Sequence, residues 1–512
     1  MKKYNVFKVL VIAMLAAIAI SFLIPQSTIG YTGIEKGKIN PITLIDLLSN
    51  GLTSLSVFVE AFVYILMIGV FYSVVKKTGK YEAVINNTAV KFKNNRKVFA
   101  IVSILTFGLL TAVIGNVLPM LIFAPAFVDV AKELKYNSKK AVLSTVGAII
   151  IGNAGSLYTI YANQMLGLKI SANIIAKLII LVVSLTALIL FVVLGEKTKQ
   201  VRLEKEEVKK GLPLSIVFDI ILALLIVGMV PWNAYFGFEG FDNFHKAITE
   251  FKVFDVSLFT SVVGKSITAF GTWTIYSLSI VLAIASIVIA FIYKIKIDGY
   301  FEAVANGIKK SISYALIYVF SNVILISVYS SGFFTTVITS VGKMKDSILS
   351  SSTVSALSSL VYPDYAYASQ FTIQTLASTL SNTAIFKVLA LIFQSMYSLL
   401  LLVSPTSILL LMALRYENIS YKNWIKYIYK FFIGLLIVYF MIIMIVGGKY
   451  VKTISYVVLA VLVVILVLFF VLCKGKKEEI KVEVKEEPKK EVTKKTSSSK
   501  KTSSKKTTTK KK

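Results

Sequence analysis

Long apolar stretches, separated by short polar and mostly basic loops, dominate the chain. About ten of these stretches are long enough to cross roughly 30 Å of hydrocarbon as a helix. They cover residues 9–25, 53–75, 141–163, 173–195, 214–230, 274–293, 311–330, 388–414, 427–446 and 453–473. The pattern predicts an all-α polytopic membrane protein.

Two further apolar stretches, 98–131 and 347–381, do not fit as single spans, because the loops around each place both of its ends on one side of the membrane. Each has a turn signal near its middle, Gly115-Asn116 in the first and Pro363-Asp364 in the second. Two thin full spans would fit either stretch, but the polar apices favour re-entrant helical hairpins. We expect the first hairpin to enter from the inside and the second from the outside.

The order of elements then repeats with opposite direction. The first repeat is 53–195 and the second is 311–446, each with a span, a hairpin and two further spans. Inverted-topology repeats are typical of secondary transporters. The remaining predicted segments are an N-terminal helix with an external loop (1–52), a linker with scaffold helices (196–310), a last transmembrane helix (447–473) and a Lys-rich tail (474–512).

Composition agrees with a membrane location. Of 512 residues, 56% are hydrophobic and only 16% are charged, which excludes an ordinary soluble domain. With one Cys and one His, the chain has neither a disulfide framework nor a His/Cys metal site. We expect a plasma-membrane protein with both termini cytoplasmic, because basic residues concentrate in the loops that this orientation places inside.

The tail 474–512 contributes 16 Lys and 6 Glu to the net charge of +30. It has almost nothing apolar to bury, so we expect it to be disordered. A nucleic-acid-binding arm is one interpretation of such a tail. Because no aromatic residues are interleaved with the lysines, we favour a solvated extension attracted to anionic lipid headgroups, with no nucleic-acid partner.

The helix that follows each hairpin carries a sequence signal for an interruption. Span 141–163 contains Ile151-Gly152-Asn153-Ala154-Gly155-Ser156, and span 388–414 contains Ser404-Pro405-Thr406-Ser407. Such breaks free backbone groups that lipid cannot satisfy, so they are tolerated where they line a cavity or bind a ligand. Kinked helices that bond back to themselves are the alternative. Because the two breaks occupy matching positions in the repeats, we favour a binding site.

Polar residues at these places are the candidate ligands. We predict substrate binding by Asn116, Asn153, Ser156, Gln394, Thr406 and Ser407, with the two asparagines at half-helix starts that favour an anion. We predict a coupling-ion role, for Na⁺ or H⁺, at Gly115, Gly152, Asp364 and Ser404. For Asp364, a position at the external surface remains an equal alternative. Glu60 and Asp219 are further proton-coupling candidates that we expect to reach an interface instead.

The second break and its surroundings resemble a known family. Phe393-Gln394, the Pro-Thr-Ser break and Ile419-Ser420-Tyr421-Lys422-Asn423-Trp424 are similar to the YfcC/DcuC-type anaerobic C4-dicarboxylate carriers of the ion-transporter superfamily. Weaker similarity lies at Thr78-Gly79 and Phe123-Ala124-Pro125, and the resemblance spans roughly 8–473. It implies a secondary carrier with no resident cofactor.

The chain also departs from that family pattern. Leu118 and Pro119 stand where the family tends to have acidic residues at the first apex. Pro363-Asp364-Tyr365-Ala366-Tyr367 replaces a Ser/Gly-rich second apex. The Asn-Pro usual after the first broken helix is missing around 156–160. The resemblance therefore implies the fold and not the substrate, and we expect a divergent specificity.

The leading hypothesis is a secondary active carrier for a small organic anion or amino acid, dicarboxylate-like or basic. Its transport would be ion-coupled or antiport, by alternating access and without covalent chemistry. A membrane enzyme that handles lipids or glycans is the alternative, and a channel is the third option, although no filter-like motif is present. In a homodimer we expect the non-repeat helices 9–25, 214–230 and 274–293 to form the scaffold.

Overall fold

The fold is almost entirely helical, as the apolar pattern predicts. The computed structural model describes residues 5–30, 33–158, 160–194, 214–264, 268–380 and 382–473. The predictions for residues 196–213 of the linker region and for the 474–512 tail lie outside the described residues.

Helices and strands follow one another in four groups. The N-terminal group has α1 (Phe7–Ser21), the antiparallel strands β1 (Ser27–Gly30) and β2 (Gly33–Lys36), and α2 (Leu44–Val57). The first repeat has α3 (Val59–Lys77), α4 (Tyr81–Phe92), α5 (Arg96–Ile114), α6 (Ala124–Glu133), α7 (Ser138–Val142), α8 (Ala148–Ala154), α9 (Ile160–Met165) and α10 (Ile174–Leu194).

The middle group has α11 (Leu214–Met229), α12 (Trp232–Phe236), α13 (Gly240–Glu250), the antiparallel strands β3 (Lys252–Val253) and β4 (Val256–Ser257), α14 (Leu258–Val263) and α15 (Ile275–Ile292). The second repeat and the end of the chain have α16 (Ile297–Ser331), α17 (Phe333–Gly342), α18 (Ser347–Val361), α19 (Tyr365–Ser378), α20 (Phe386–Leu400), α21 (Ile408–Tyr416), α22 (Tyr421–Gly447) and α23 (Thr453–Cys473). Short 3₁₀ segments occupy Leu118–Ile122, Thr383–Ile385 and Gly448–Tyr450, and a π-helical segment occupies Leu143–Gly147.

In the part of the chain that the structure describes, 7 helices are long and apolar enough to cross a membrane. They are α3, α5, α10, α15, α16, the segment Thr383–Leu400 that contains α20, and the segment Tyr421–Tyr450 that contains α22. The chain is therefore an all-α, multi-pass membrane protein. The total of ten spans and the re-entrant course of the hairpins stay predictions.

Two predicted boundaries are wrong, and the first hairpin is asymmetric. Span 53–75 is two helices, because a Thr43–Asp46 capping box starts α2 early and Phe58 separates it from α3. Span 311–330 is the apolar end of α16, whose 35 residues measure about 52 Å and exceed the hydrocarbon thickness. The arms of the first hairpin are unequal, since α5 has 19 residues and α6 has 10.

The repeated order of elements is visible in the fold. In both repeats a long helix is followed by a short one, a helix–turn–helix hairpin, a broken helix and another long helix: α3 to α10 in the first, α16 to α22 in the second. The helix α16 lies along α3, and small residues bring them together. A Cβ atom added to Gly69 would lie 2.4 Å from Ser311 Oγ, so this seam depends on glycine.

Candidate functional site

The first break begins at Gly155, directly after the last residue of α8, and its described residues are 155–158. Asn153 therefore lies at the C-terminal end of a half-helix, and the prediction that it starts one is wrong. The chain leaves the helix at Gly155. A Cβ atom at this position would lie 2.7 Å from the side chain of Leu181. Because the end of a helix presents carbonyl groups, this end of the break favours hydrogen-bond donors and not an anion.

Gln394 supplies those donors from the second repeat. Its side-chain Nε2 donates to the carbonyl oxygens of Asn153, at 3.2 Å, and of Ser156, at 2.7 Å. Asn153 Nδ2 in turn donates to Ser398 Oγ at 2.8 Å. All four residues are buried. The structure thus brings three predicted site residues together as a bridge between α8 and α20, across the two repeats.

Ser156 fixes the break to the first hairpin. Its Oγ donates to the Ala112 carbonyl at 3.1 Å, and the backbone N–H of Leu157 donates to the same carbonyl at 2.9 Å. Gly115 ends α5 in the left-handed conformation, with φ at 72°, and a Cβ atom there would lie 2.0 Å from the Tyr158 carbonyl oxygen. The apex of the first hairpin and the first break are therefore in direct contact.

The other two residues predicted near this place have local roles. Asn116 Oδ1 accepts a hydrogen bond at 3.0 Å from the N–H of Leu118, the first residue of the 3₁₀ segment. Gly152 lets α8 approach α5, since a Cβ atom there would lie 2.3 Å from the Gly108 carbonyl oxygen. The substrate role of Asn116 and the ion role of Gly115 and Gly152 stay predictions.

The second break, 401–407, is held by its own repeat. Ser404 Oγ donates to the Ser359 carbonyl at 2.7 Å, and Thr406 Oγ1 lies 3.3 Å from that carbonyl and 3.2 Å from the carbonyl of Leu360. Ser407 is the N-cap residue of α21. Both carbonyls belong to the end of α18, so the second break is fastened to the second hairpin.

The start of α22 explains the aromatic pair in the family-like motif. Trp424 Nε1 donates to the Leu402 carbonyl at 2.8 Å, and the Tyr421 hydroxyl donates to the Val403 carbonyl. These are carbonyl groups that the break frees from the helix. These carbonyls therefore already have donors from the protein, and the ion role of Ser404 stays a prediction.

Asp364 lies at the turn of the second hairpin and is the N-cap residue of α19. It is partly buried, whereas Glu60 and Asp219 are exposed on the outer faces of α3 and α11. The turn falls at the predicted Pro363-Asp364.

A cavity of about 790 Å³ opens between the two repeats. It is lined by the helices α3, α16 and α21, by the first hairpin, and by Val142 and Val146. Four basic side chains line it: Lys76, Lys309, Lys310 and Arg415. The single acid in the lining is Glu417, which forms an ion pair with Lys132 at 2.7 Å. The cavity is therefore positively charged and suited to an anion.

None of the ten predicted site residues lines this cavity. It reaches Leu409, two residues beyond Ser407, so it comes close to the second break. The sequence does not single out Lys309 and Lys310, because lysines are common in the loops of this chain. Arg415 carried a usable signal, since it is one of only three arginines in a chain rich in lysine.

Polar contacts cross the edge of the cavity. Asp129 of the first hairpin accepts hydrogen bonds from the hydroxyl groups of Tyr81, at 2.8 Å, and Tyr416, at 3.0 Å. Together with the Lys132–Glu417 pair, these contacts join the first hairpin to α21 of the second repeat.

Comparison with known proteins decides the family. The model of the C4-dicarboxylate anaerobic carrier family, DcuC, matches residues 49–448. The chain belongs to this family. The match covers both hairpins and both breaks of the carrier and confirms the resemblance drawn from the Pro-Thr-Ser region.

Two solved transporter structures are similar to the carrier. The YdaH transporter of Alcanivorax borkumensis is 12% identical over 87% of this chain and 99% of its own, with a TM-score of 0.41. MtrF of Neisseria gonorrhoeae, described as one of a class of antimetabolite efflux pumps, is 14% identical over 87% of this chain and 95% of its own, with a TM-score of 0.38. No curated protein matches the chain.

Proposed function

We propose that this carrier is a secondary active transporter of a small organic anion, with a C4-dicarboxylate as the first candidate substrate. Membership in the family supports transport, and the family description suggests the substrate class. The observation that carries the proposal is the basic cavity between the repeats. A dicarboxylate is a dianion, and four basic side chains around one chamber favour its entry.

Alternating access is the mechanism that we propose. The cavity would be the open side of an inward-facing state, with the basic loops in the cytoplasm. Substrate would pass from the cavity to the region between the two breaks and leave on the other side after one repeat moves against the other. Two sets of contacts would change in this step: those of Asp129 and Lys132 with α21, and the Gln394 bridge.

The test is flux in proteoliposomes made with the purified full chain. We expect labelled succinate to accumulate under an ion gradient or to exchange against internal succinate. In the double variant Lys309→Gln and Lys310→Gln, both exposed residues of the cavity, we expect KM to rise several-fold while the protein stays folded. Lys343→Gln is the matched control, because Lys343 is exposed and lies outside the cavity.

An amino acid remains the second candidate substrate, because the aromatic and acidic turn of the second hairpin favours a cationic group. The same flux assay with basic amino acids separates the two. An absence of flux for both classes would contradict the carrier proposal and favour a lipid- or glycan-handling enzyme.

A further inference from the structure

Asp364 has one carboxylate oxygen engaged and one nearly free. Oδ1 accepts hydrogen bonds from the backbone N–H groups of Ala366, at 2.9 Å, and Tyr367, at 3.2 Å, and so caps α19. Oδ2 has the Tyr318 hydroxyl at 3.5 Å, the outer limit of a hydrogen bond. No basic side chain of the described residues forms an ion pair with this carboxylate.

Asp346 shows what a satisfied aspartate looks like in the same hairpin. It caps α18 in the same way, with Oδ1 accepting from the N–H groups of Ile348, at 3.1 Å, and Leu349, at 3.0 Å. Its Oδ2 then accepts from both the backbone N–H, at 3.1 Å, and the hydroxyl, at 2.6 Å, of Ser455. The two caps are alike, and only Asp364 keeps an oxygen available.

A second unsatisfied oxygen lies on α16, next to Tyr318. Asn322 is fully buried on α16, one turn after Tyr318, and its amide lies beside the Tyr318 hydroxyl. Asn322 Nδ2 donates to the Tyr318 carbonyl at 3.1 Å, but Oδ1 has no hydrogen-bond partner among the described residues. A buried amide oxygen without a donor is costly and points to a missing ligand.

Aromatic rings enclose this group of oxygens. Phe58 packs against the rings of Tyr318, at 5.8 Å between centroids, and Tyr367, at 5.0 Å. Tyr161, Tyr367 and Tyr397 lie close enough to the carboxylate to interact with it electrostatically. These neighbours are all neutral tyrosines, so the charge of Asp364 has no compensation from them.

We propose that Asp364, Tyr318 and Asn322 bind one monovalent cation. Carboxylate, hydroxyl and amide oxygens are ligands for a hard cation, and a cation would satisfy both Asp364 Oδ2 and Asn322 Oδ1. One carboxylate balances one positive charge, and the described residues contain no cluster of three or more acids, His or Cys that a multivalent metal would favour. The source is either an alkali ion that is co-transported or the ammonium group of a substrate.

The inference rests on the proposed carrier function, since a cation at the second hairpin would be the coupling ion or part of the cargo. Asp364 lies in the turn that follows α18, the helix that holds the second break through the carbonyl groups of Ser359 and Leu360. Cation binding at this turn would therefore fix the position of the second hairpin relative to α16.

The test is thermal unfolding of the purified full chain in detergent, at constant ionic strength and at each of two pH values. NaCl replaces choline chloride in one series, and KCl or methylammonium chloride replaces it in parallel series. We expect a saturable rise in Tm of several degrees with at least one of the three cations. A response to Na⁺ alone indicates an alkali-ion site, and a response to methylammonium alone indicates a site for an ammonium group.

Two substitutions make the test specific. Asp364→Asn keeps an acceptor for the α19 cap but removes the charge, and we expect the cation-dependent shift to disappear. Asp346→Asn is the matched control, and we expect it to keep the shift even if its starting Tm is lower. In Tyr318→Phe we expect the half-saturating cation concentration to rise about tenfold or more.

The proposal is overturned if no monovalent cation stabilises the wild type, or if Asp364→Asn keeps the full shift. Stabilisation that follows pH and no metal or ammonium ion would also overturn it and assign Asp364 a proton. The outcome is separable from that of the proposed function. Succinate flux without any cation-dependent shift removes the site and keeps the carrier, and a cation shift without succinate flux removes the substrate and keeps the site.

Discussion

The two broken helices occupy matching positions but are held in different ways. The first break is bridged by Gln394 from the opposite repeat, whereas the second is fastened by the hairpin and the next helix of its own repeat. Movement of the second repeat must therefore either strain the first break or move it as well. The second break moves together with the hairpin and helix that hold it. The comparison indicates that the α8–α20 contact is where the first break is coupled to the second repeat.

The largest expected effect is at the bridge itself. Gln394→Leu leaves the buried carbonyls of Asn153 and Ser156 without that donor, and we expect unfolding to become easier by about 3 kcal/mol. Transport of succinate is expected to fall below detection. Gln374→Leu, on the exposed face of α19, is the control and should change neither quantity. Wild-type flux in Gln394→Leu would show that the two repeats do not need this bridge.

The next effect is at the contact between the first hairpin and the first break. Gly115→Ala meets both a positive φ and the Tyr158 carbonyl, whereas Gly79→Ala meets a similar φ of 66° with no atom within 4 Å. We expect Gly79→Ala to lower the unfolding free energy by about 1 kcal/mol and Gly115→Ala by at least twice as much. If thermal or denaturant unfolding shows equal losses for the two variants, the close contact between Gly115 and the Tyr158 carbonyl does not contribute to stability.

A smaller effect is expected where α22 holds the second break. Tyr421→Phe removes the donor to the Val403 carbonyl, and we expect a loss of about 1 kcal/mol. Tyr456→Phe on the exposed face of α23 controls for the loss of a hydroxyl. Because Tyr421 acts within one repeat, we expect succinate KM to stay within about twofold. If Tyr421→Phe changed transport more than Gln394→Leu does, the contacts within the second repeat would matter more for transport than the bridge between the repeats.

The smallest effect is expected for Ser404→Ala. Its Oγ and that of Thr406 both bond the Ser359 carbonyl, so one donor remains after the substitution. We expect a loss of about 0.5 kcal/mol in unfolding experiments, toward the low end for one hydrogen bond. A loss as large as that of Gln394→Leu would show that the second break is no more redundant than the first.

The sequence alone predicted the membrane class, the family and the places where the chain turns. Gly115-Asn116, Pro363-Asp364 and both breaks fall where turn residues interrupt apolar stretches, and such local signals are readable in one dimension. The start of α16 at Ile297 was not predicted, because its first turns are polar and hydropathy sees only the apolar part. The predicted roles of individual site residues remain untested.

The basic cavity and the group of oxygens around Asp364, Tyr318 and Asn322 could not be predicted from the sequence, for a different reason. Lys76, Lys309 and Arg415 line one chamber although they lie far apart along the chain. Tyr318 reaches Asp364 from another helix, with the Asn322 amide beside the Tyr318 hydroxyl. Contacts of this kind are set by packing between elements, which hydropathy does not encode. The wrong prediction concerns Asn153. The helix α8 continues to Ala154, so Asn153 lies at its C-terminal end and not at the N-terminal end of a half-helix.

The central claim is that the cavity between the repeats opens to one side of the membrane at a time. Cys473 is the only cysteine, so Cys473→Ser gives a cysteine-free background, in which Ser73→Cys places a thiol in the cavity. We would measure labelling of that thiol in proteoliposomes by a membrane-impermeant maleimide, from the side of the basic loops, with and without succinate. The account predicts labelling that saturating succinate slows several-fold. Equal labelling with and without succinate, in protein that transports it, would contradict the account.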